Sequence, residues 1–434
     1  MQRLIVFCAV AFMLAGCAGG RPDAADAPIV IIGIDSADWT WLDPMLEQGR
    51  MPHLAALLER GVRADLPSLE PPQKSPTIWT TIATGMRPSR HGIADFITHE
   101  KGITGSAMRQ VPTYWEILGA TGRTQSIVGW WITFPATPVN GVLVTDYLQY
   151  GAGRDKMIDA SIYPDGAWEL IGPLRVNPDD LDHQELARFV DFGQTPEDKE
   201  IAVESALSDI SWMYAADQSY RRIARALYEQ AQEDGEPVDV FTVYFRGLDV
   251  VSHRFWGAFK PGQGGVKAQD WEIGMFGELI PSYMEYVDEL IGEIVAYTDP
   301  RSRILICSDH GFFGNRRTPR GQARGVGMHD QEGILVAAGP GIRKGAILDP
   351  VDFDVHDITP TILALAGLPP AADMDGEAIV GLFDNGYRGW LESLVQDTVD
   401  SYESIVPERG ATGVTDPEIE AEALEKLKAL GYIE

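Results

Sequence analysis

In this chain of 434 residues, four groups of aspartate and histidine stand out by where they fall. Pro28 to Ile34 (PIVIIGI) ends in Asp35, and the apolar run from Val238 to Phe245 is followed by Asp249 and His253. Arg303 to Cys307 leads into Asp309-His310-Gly311, and Gly327-Met328-His329-Asp330 stands just before a run at Ile334. Carboxylate and imidazole together suit zinc, and manganese accepts the same donors. Each residue alone has a plainer reading. An aspartate after a strand is often a helix N-cap, and a lone histidine is more often a packed or surface residue than a ligand. Asp249 and His253, four apart, share one face only if that stretch is helical. The weight lies in the coincidence, because the strand ends of a parallel sheet converge on one edge.

The elements that would position these residues are legible as patterns. Continuous β-branched runs without alternation mark strands buried on both faces. They recur at Pro28 to Ile34, Ser126 to Gly129, Val142 to Val144, Val238 to Phe245, Arg303 to Cys307 and Ile334 to Ala338. Helical patterns fall between them, as at Pro52 to Arg60 and Pro281 to Tyr297. This alternation predicts an α/β fold, a mostly parallel central sheet with helices on both faces. Ligands of such folds bind outside the carboxyl ends of the strands. The catalytic domain is expected over 28–403, with 151–237 a helical cap insertion rather than a separate domain. An acidic helical tail, 404–434, ends in a pattern (Ile419, Ala423, Leu424, Leu427, Leu430) expected to dock back on the surface.

Composition narrows the partners. Hydrophobic residues at 45% and charged residues at 23% are ordinary globular values. A formal net charge of −29 argues against a nucleic-acid-binding surface. An anionic substrate must then be drawn in locally, and bound cations do this. Residues 1–17 read as a signal segment: Arg3, an apolar stretch from Leu4 to Leu14, then small residues. That stretch is too short for a comfortable membrane span. Leu14-Ala15-Gly16-Cys17 resembles the lipobox of bacterial lipoproteins. The resemblance implies acylation of Cys17, a tether over 18–27, and a place in the bacterial cell envelope. Ala18 after the cysteine points to the outer membrane, facing the periplasm. Cys307 alone then remains in the mature domain, a buried small hydrophobe with no disulfide partner.

The ordered segments GIDSADW (33–39), SPTIWTTIATGMRPSRHGI (75–93), RGLDVVSHRFW (246–256), ICSDHGFFG (306–314), GMHDQEGILVAAGPGI (327–342) and HDITPTILALAGLP (356–369) resemble the alkaline phosphatase superfamily. The match is nearest to its type I phosphodiesterase/nucleotide pyrophosphatase branch. The resemblance implies hydrolysis of phosphate esters at two divalent metal ions, zinc or manganese. Asp35, Asp309, His310 and the nucleophile oxygen would hold one ion, and Asp249, His253 and His329 the other. One carboxylate and two imidazoles leave an open position, as catalytic zinc sites do. The family's nucleophile lies nine residues before its Thr-Gly pair, which places it at Ser75, with Thr77 the alternative. In-line attack by Ser75 would give a phosphoserine that water then hydrolyses, and metal contact would favour the serine alkoxide. The expected substrate is a small phosphorylated molecule, a diester or nucleotide pyrophosphate ahead of a monoester.

One departure concerns the substrate. Where nucleotide-cleaving members carry an asparagine on a phosphate oxygen, this chain has Phe96; Lys74 and Arg246 are the basic residues that would substitute. His91 is read as structural, as are His356 and Asp357, while Trp39, Trp79, Trp131 and Trp256 suit core packing or stacking on a substrate. A sulfatase would need arginine where Trp79 stands. A phosphoethanolamine transferase would need several membrane spans. A non-catalytic binding lipoprotein would be expected to lose ligands, and all seven positions are intact.

Overall fold

The computed structural model describes residues 22–98, 102–150, 156–263, 268–314, 327–396, 399–407 and 417–429. The expected signal segment and Cys17 lie outside them. Strand β1 (Ile29–Ile34) is the centre of a nine-stranded sheet. Around it stand β2 (Gly61–Pro67), β3 (Gln125–Val128), β4 (Gly141–Val144), β5 (Ile162–Tyr163), β6 (Val240–Phe245) and β7 (Arg303–Cys307). A separate ribbon pairs β8 (Gly311–Gly314) with β9 (Gly327–Asp330), and β10 (Glu332–Ala338) and β11 (Ala346–Leu348) complete the set. The sheet order is β11-β2-β10-β7-β1-β6-β3-β4-β5.

The block β7-β1-β6-β3-β4 is parallel throughout. Five of the six expected runs form this block, the run at 334–338 being β10, and Pro52–Glu59 and Leu279–Tyr297 are helical as expected. Strand β10 instead runs antiparallel between β7 and β2, and β5 is antiparallel at the far edge. Successive residues of each central strand point to opposite faces and both faces are covered. Val30, Ile32 and Ile34 pack into one core; Ile29 and Ile31 pack into the other. The isoleucines and the valine of β1 are no more than 1% exposed. Burial of each such side chain contributes about 1.5–3 kcal/mol before the entropy of ordering is subtracted.

Three helices bear on the site: α1 (Ser75–Thr84), α2 (Glu200–Glu233) and α3 (Gly247–Phe259). Helix α2, the main element of the 151–237 insertion, joins the core on one face of the sheet through Ile210, Tyr220 and Ile223. The insertion also holds β5, a strand that its sequence did not show. Asp23–Asp26 forms a 3-10 turn with Ala25 fully buried, so the chain packs against the domain at this residue. The tail helix α4 (Pro417–Ala429) buries Ala423 and Leu427 completely, as its pattern predicted. Leu430 lies outside the described residues.

Candidate metal centre

Asp35 follows the last residue of β1, and its backbone N–H donates to the Phe245 carbonyl of β6 at 3.0 Å. The N-cap role open to such an aspartate falls instead to Asp38, which accepts from Thr40 N–H at 2.7 Å. Asp38 also accepts from Phe312 N–H at 3.2 Å, which ties β8 to the end of β1. Asp309 and His310 leave the end of β7. Asp249 and His253 stand one turn apart on α3, and His329 projects from β9. Ser75 opens α1.

These residues meet. His310 Nε2 lies 3.3 Å from Asp35 Oδ1, 3.3 Å from Asp309 Oδ2 and 3.3 Å from Ser75 Oγ. His253 Nε2 is 3.0 Å from His329 Nε2 and 3.3 Å from Asp249 Oδ1, and His329 Nε2 is 3.7 Å from the same oxygen. All seven expected ligand positions therefore fall in two adjoining groups. The His310 and His329 rings stack at 3.6 Å between them, and His310 is within reach of both groups. Thr77 is fully buried and its hydroxyl has no hydrogen-bond partner, whereas Ser75 faces the cluster.

The arrangement makes poor sense as a set of protein hydrogen bonds. Asp35 Oδ1 and both oxygens of Asp309 are buried and accept none. Burial, then the Asp249 charge, pushes the Asp35 carboxyl up; burial, then Asp35, pushes Asp309 well above the usual carboxylate range. For Asp249 burial acts upward too, but His253, His329 and His310 outweigh it and hold the group below that range. Burial, then His310, holds the His329 imidazole well below its ordinary value. Orphaned buried carboxylate oxygens facing imidazole nitrogens are what a divalent cation satisfies. Donors bonded to one tetrahedral ion at about 2.0–2.1 Å lie about 3.3 Å apart, the spacing found in both groups.

A tautomer follows from the surroundings. His310 Nδ1 is 2.9 Å from the Gly311 carbonyl, so the hydrogen sits on Nδ1 and the Nε2 lone pair faces the oxygens. Ser36 Oγ is 3.2 Å from the same Nδ1 and donates to Asp249 Oδ1 at 2.6 Å, so one hydroxyl links the two groups. Ser36 adopts φ 64°, a left-handed conformation that costs a non-glycine residue energy and clusters at functional sites. The sequence reading assigned it no role. Its place directly after Asp35 was the available signal.

The two basic residues are not brought to the metal ligands. Lys74 Nζ pairs with both oxygens of Asp95 at 2.7 Å. Arg246 is 2% exposed; its guanidinium donates to Tyr150 Oη at 2.6 Å and the Asp146 carbonyl at 2.8 Å, and lies 4.4 Å over the Trp131 ring. Phe96 is buried edge-on to Trp131. His91 is fully buried, accepting from Ile93 N–H and meeting Thr81 Oγ1 at 3.0 Å, and burial holds its imidazole down to about 3. Trp39, Trp79, Trp131 and Trp256 are all buried.

Residues 29–330 match the family described as type I phosphodiesterase / nucleotide pyrophosphatase. A stretch of 101 residues is 33% identical to the sulfatase ppz1 of Metarhizium majus (strain ARSEF 297), covering 22% of this chain and 23% of that protein. The chain thus spans about a quarter of the length of that curated relative. Human ectonucleotide pyrophosphatase / phosphodiesterase 5 superposes with a TM-score of 0.49 at 12% identity, over 82% of this chain and 100% of that one. The phosphonate monoester hydrolase of Silicibacter pomeroyi gives 0.45 at 16% identity, over 81% and 76%.

Proposed function

Because the chain belongs to the type I phosphodiesterase/nucleotide pyrophosphatase family of hydrolases, we propose that it cleaves phosphodiester or pyrophosphate bonds through a phosphoserine formed on Ser75. The observation that carries this reading is the spacing of the donors: two groups of three, at 3.0–3.7 Å, with Ser75 Oγ on the first. Asp35, Asp309 and His310 would hold one ion together with Ser75, and Asp249, His253 and His329 the other. Zinc suits this mixture, and manganese is the other candidate. The ions, when bound, supply the positive charge that favours a serine alkoxide and steadies the leaving oxygen.

The chain's own residues do the rest. Ser75 Oγ attacks phosphorus in line, the bond from phosphorus to the leaving oxygen breaks, and water later cleaves the phosphoserine. Ser75 sits at the first turn of a ten-residue helix, whose N-terminal end carries partial positive charge and favours the incoming phosphate. His310, fixed by the Gly311 carbonyl and Ser36, keeps its lone pair on the ligand side. The buried surroundings of Ser75 exclude bulk water and raise the worth of every charge. Acylation at Cys17, which the lipobox resemblance supports, would hold the domain at the outer membrane. No described helix is long and apolar enough to cross a membrane.

The test uses the soluble form beginning after Cys17. It is assayed on bis-p-nitrophenyl phosphate and p-nitrophenyl phosphate, with EDTA or added zinc, beside Ser75→Ala and Thr77→Ser. Zinc-dependent release that falls at least about 1,000-fold in Ser75→Ala and survives in Thr77→Ser is expected. Full activity in Ser75→Ala would overturn the nucleophile.

A further inference from the structure

Beside the ligands lies a buried pair of residues that coordinates nothing. Tyr244 of β6 is fully buried, and its phenol donates to Asp35 Oδ2. The phenol oxygen of Tyr244 in turn accepts from Trp131 Nε1–H at 2.6 Å. The other Asp35 oxygen, Oδ1, has no hydrogen-bond donor and faces His310 Nε2 at 3.3 Å.

Several independent features hold this arrangement. Tyr244 pairs with Gly33 across β1 and β6, and a Cβ on Gly33 would lie 2.9 Å from Tyr244 Cδ2 and 3.0 Å from the Trp79 ring. The strand therefore carries no side chain where the phenol ring crosses it toward Asp35. Trp79 packs edge-on to Tyr244 at 4.8 Å and closes the other side. Trp131 is set by the turn after β3, in which Ile132 has φ 59°. A β-branched residue adopts that conformation only when its surroundings impose it. The buried carboxylate of Asp146 does so, accepting from Ile132 N–H, Phe134 N–H and Thr133 Oγ1 at 3.0–3.1 Å. Arg246, which donates to the Asp146 carbonyl, lies over the Trp131 ring.

We infer that Tyr244 is a positioning residue: oriented by Trp131, it occupies one oxygen of Asp35 and leaves the other as a single, fixed metal ligand. A carboxylate free to turn would offer its oxygens interchangeably and lose part of its affinity to rotation. Hydrogen bonds to ligating carboxylates typically contribute 10–100-fold in metal affinity. The inference rests on the proposed two-ion site, and the test separates the two.

Metal-free protein, wild type and Tyr244→Phe, is titrated with zinc against a chromophoric chelator and with cobalt(II) followed by visible absorption. Wild type is expected to bind two ions. Tyr244→Phe, which removes only a hydroxyl, is expected to weaken one binding step 10–100-fold, leave the other within about twofold, and alter one cobalt spectrum. Trp131→Phe, which removes the N–H that orients the phenol, should weaken the same step by a smaller factor. It serves as the deciding variant if Tyr244→Phe does not fold. A lower melting temperature with both binding steps unchanged would mean that Tyr244 is packing alone and would overturn the inference. Failure of wild type to bind any ion would refute the proposed site itself and the inference with it.

Discussion

Asp309→Asn should make the metal-free protein more stable and the metal-loaded protein less stable than wild type. Asp309 is fully buried with neither carboxylate oxygen hydrogen-bonded, and Asp35 stands beside it with Oδ1 also unpartnered. Without a cation this position is destabilised by repulsion and lost hydration. Asparagine keeps the shape, removes the charge and brings an N–H₂ group that can donate to Asp35. Relief of one buried unsatisfied group amounts to about 1–3 kcal/mol. At about 2.1 cal/mol/K per residue the 434-residue chain has an unfolding entropy near 0.9 kcal/mol/K, so the metal-free melting temperature should rise by about 1–3 °C. In zinc at about 100 times Kd, each ion adds roughly 2.7 kcal/mol, or about 3 °C. The variant loses one of two such increments, and the order of the melting temperatures inverts. Intrinsic-fluorescence melting in EDTA and in zinc reads this directly. A variant that melts lower than wild type in EDTA, or gains as much from zinc, would refute the reasoning.

Asp217 of α2 accepts from Gly247 N–H at 3.2 Å and from Tyr283 Oη at 2.7 Å, tying the insertion to the start of α3. Burial pushes its carboxyl from 3.8 to about 6, so its stabilising proton is fully present below pH 3.8 and lost as pH rises through about 6. Asp217→Asn keeps the acceptor without the titration; relative to wild type it should gain up to about 3 kcal/mol between pH 4 and 7.5, seen as a pH-dependent difference in melting temperature. A constant difference would contradict this. Gly33→Ala should cost about 1–3 kcal/mol by crowding Tyr244 and Trp79; chemical denaturation measures it, and an unchanged midpoint would show that the gap closes freely. His253→Ala, which removes one of three donors from the second group, should reduce bound zinc from two ions to one after gel filtration, as read by atomic emission.

The sequence alone determined the parallel block of the sheet and the edge on which the chemistry sits. Runs such as Ile29 to Ile34 are apolar on both faces, which only a strand covered on both sides tolerates. Asp35, Asp249 and Asp309 were legible because each follows such a run, and the i, i+4 pair on α3 because helix geometry is local. Strand β2 was missed: Val62, Ala64 and Leu66 alternate with Arg63 and Asp65, a short pattern easily taken for a turn until β10 pairs with it. The direction of β10 was not legible either, because the β8–β9 ribbon that reverses the chain is defined by pairing between segments. Tertiary structure alone decided the left-handed Ser36, the tautomer of His310 and the contact of Tyr244 with Asp35. The Ser36–His310 and Tyr244–Asp35 contacts join residues 274 and 209 apart in sequence, and no local preference records such pairings. The same holds for Lys74 and Arg246: their charge was legible, but which carboxylate, carbonyl or ring would engage it was set by packing.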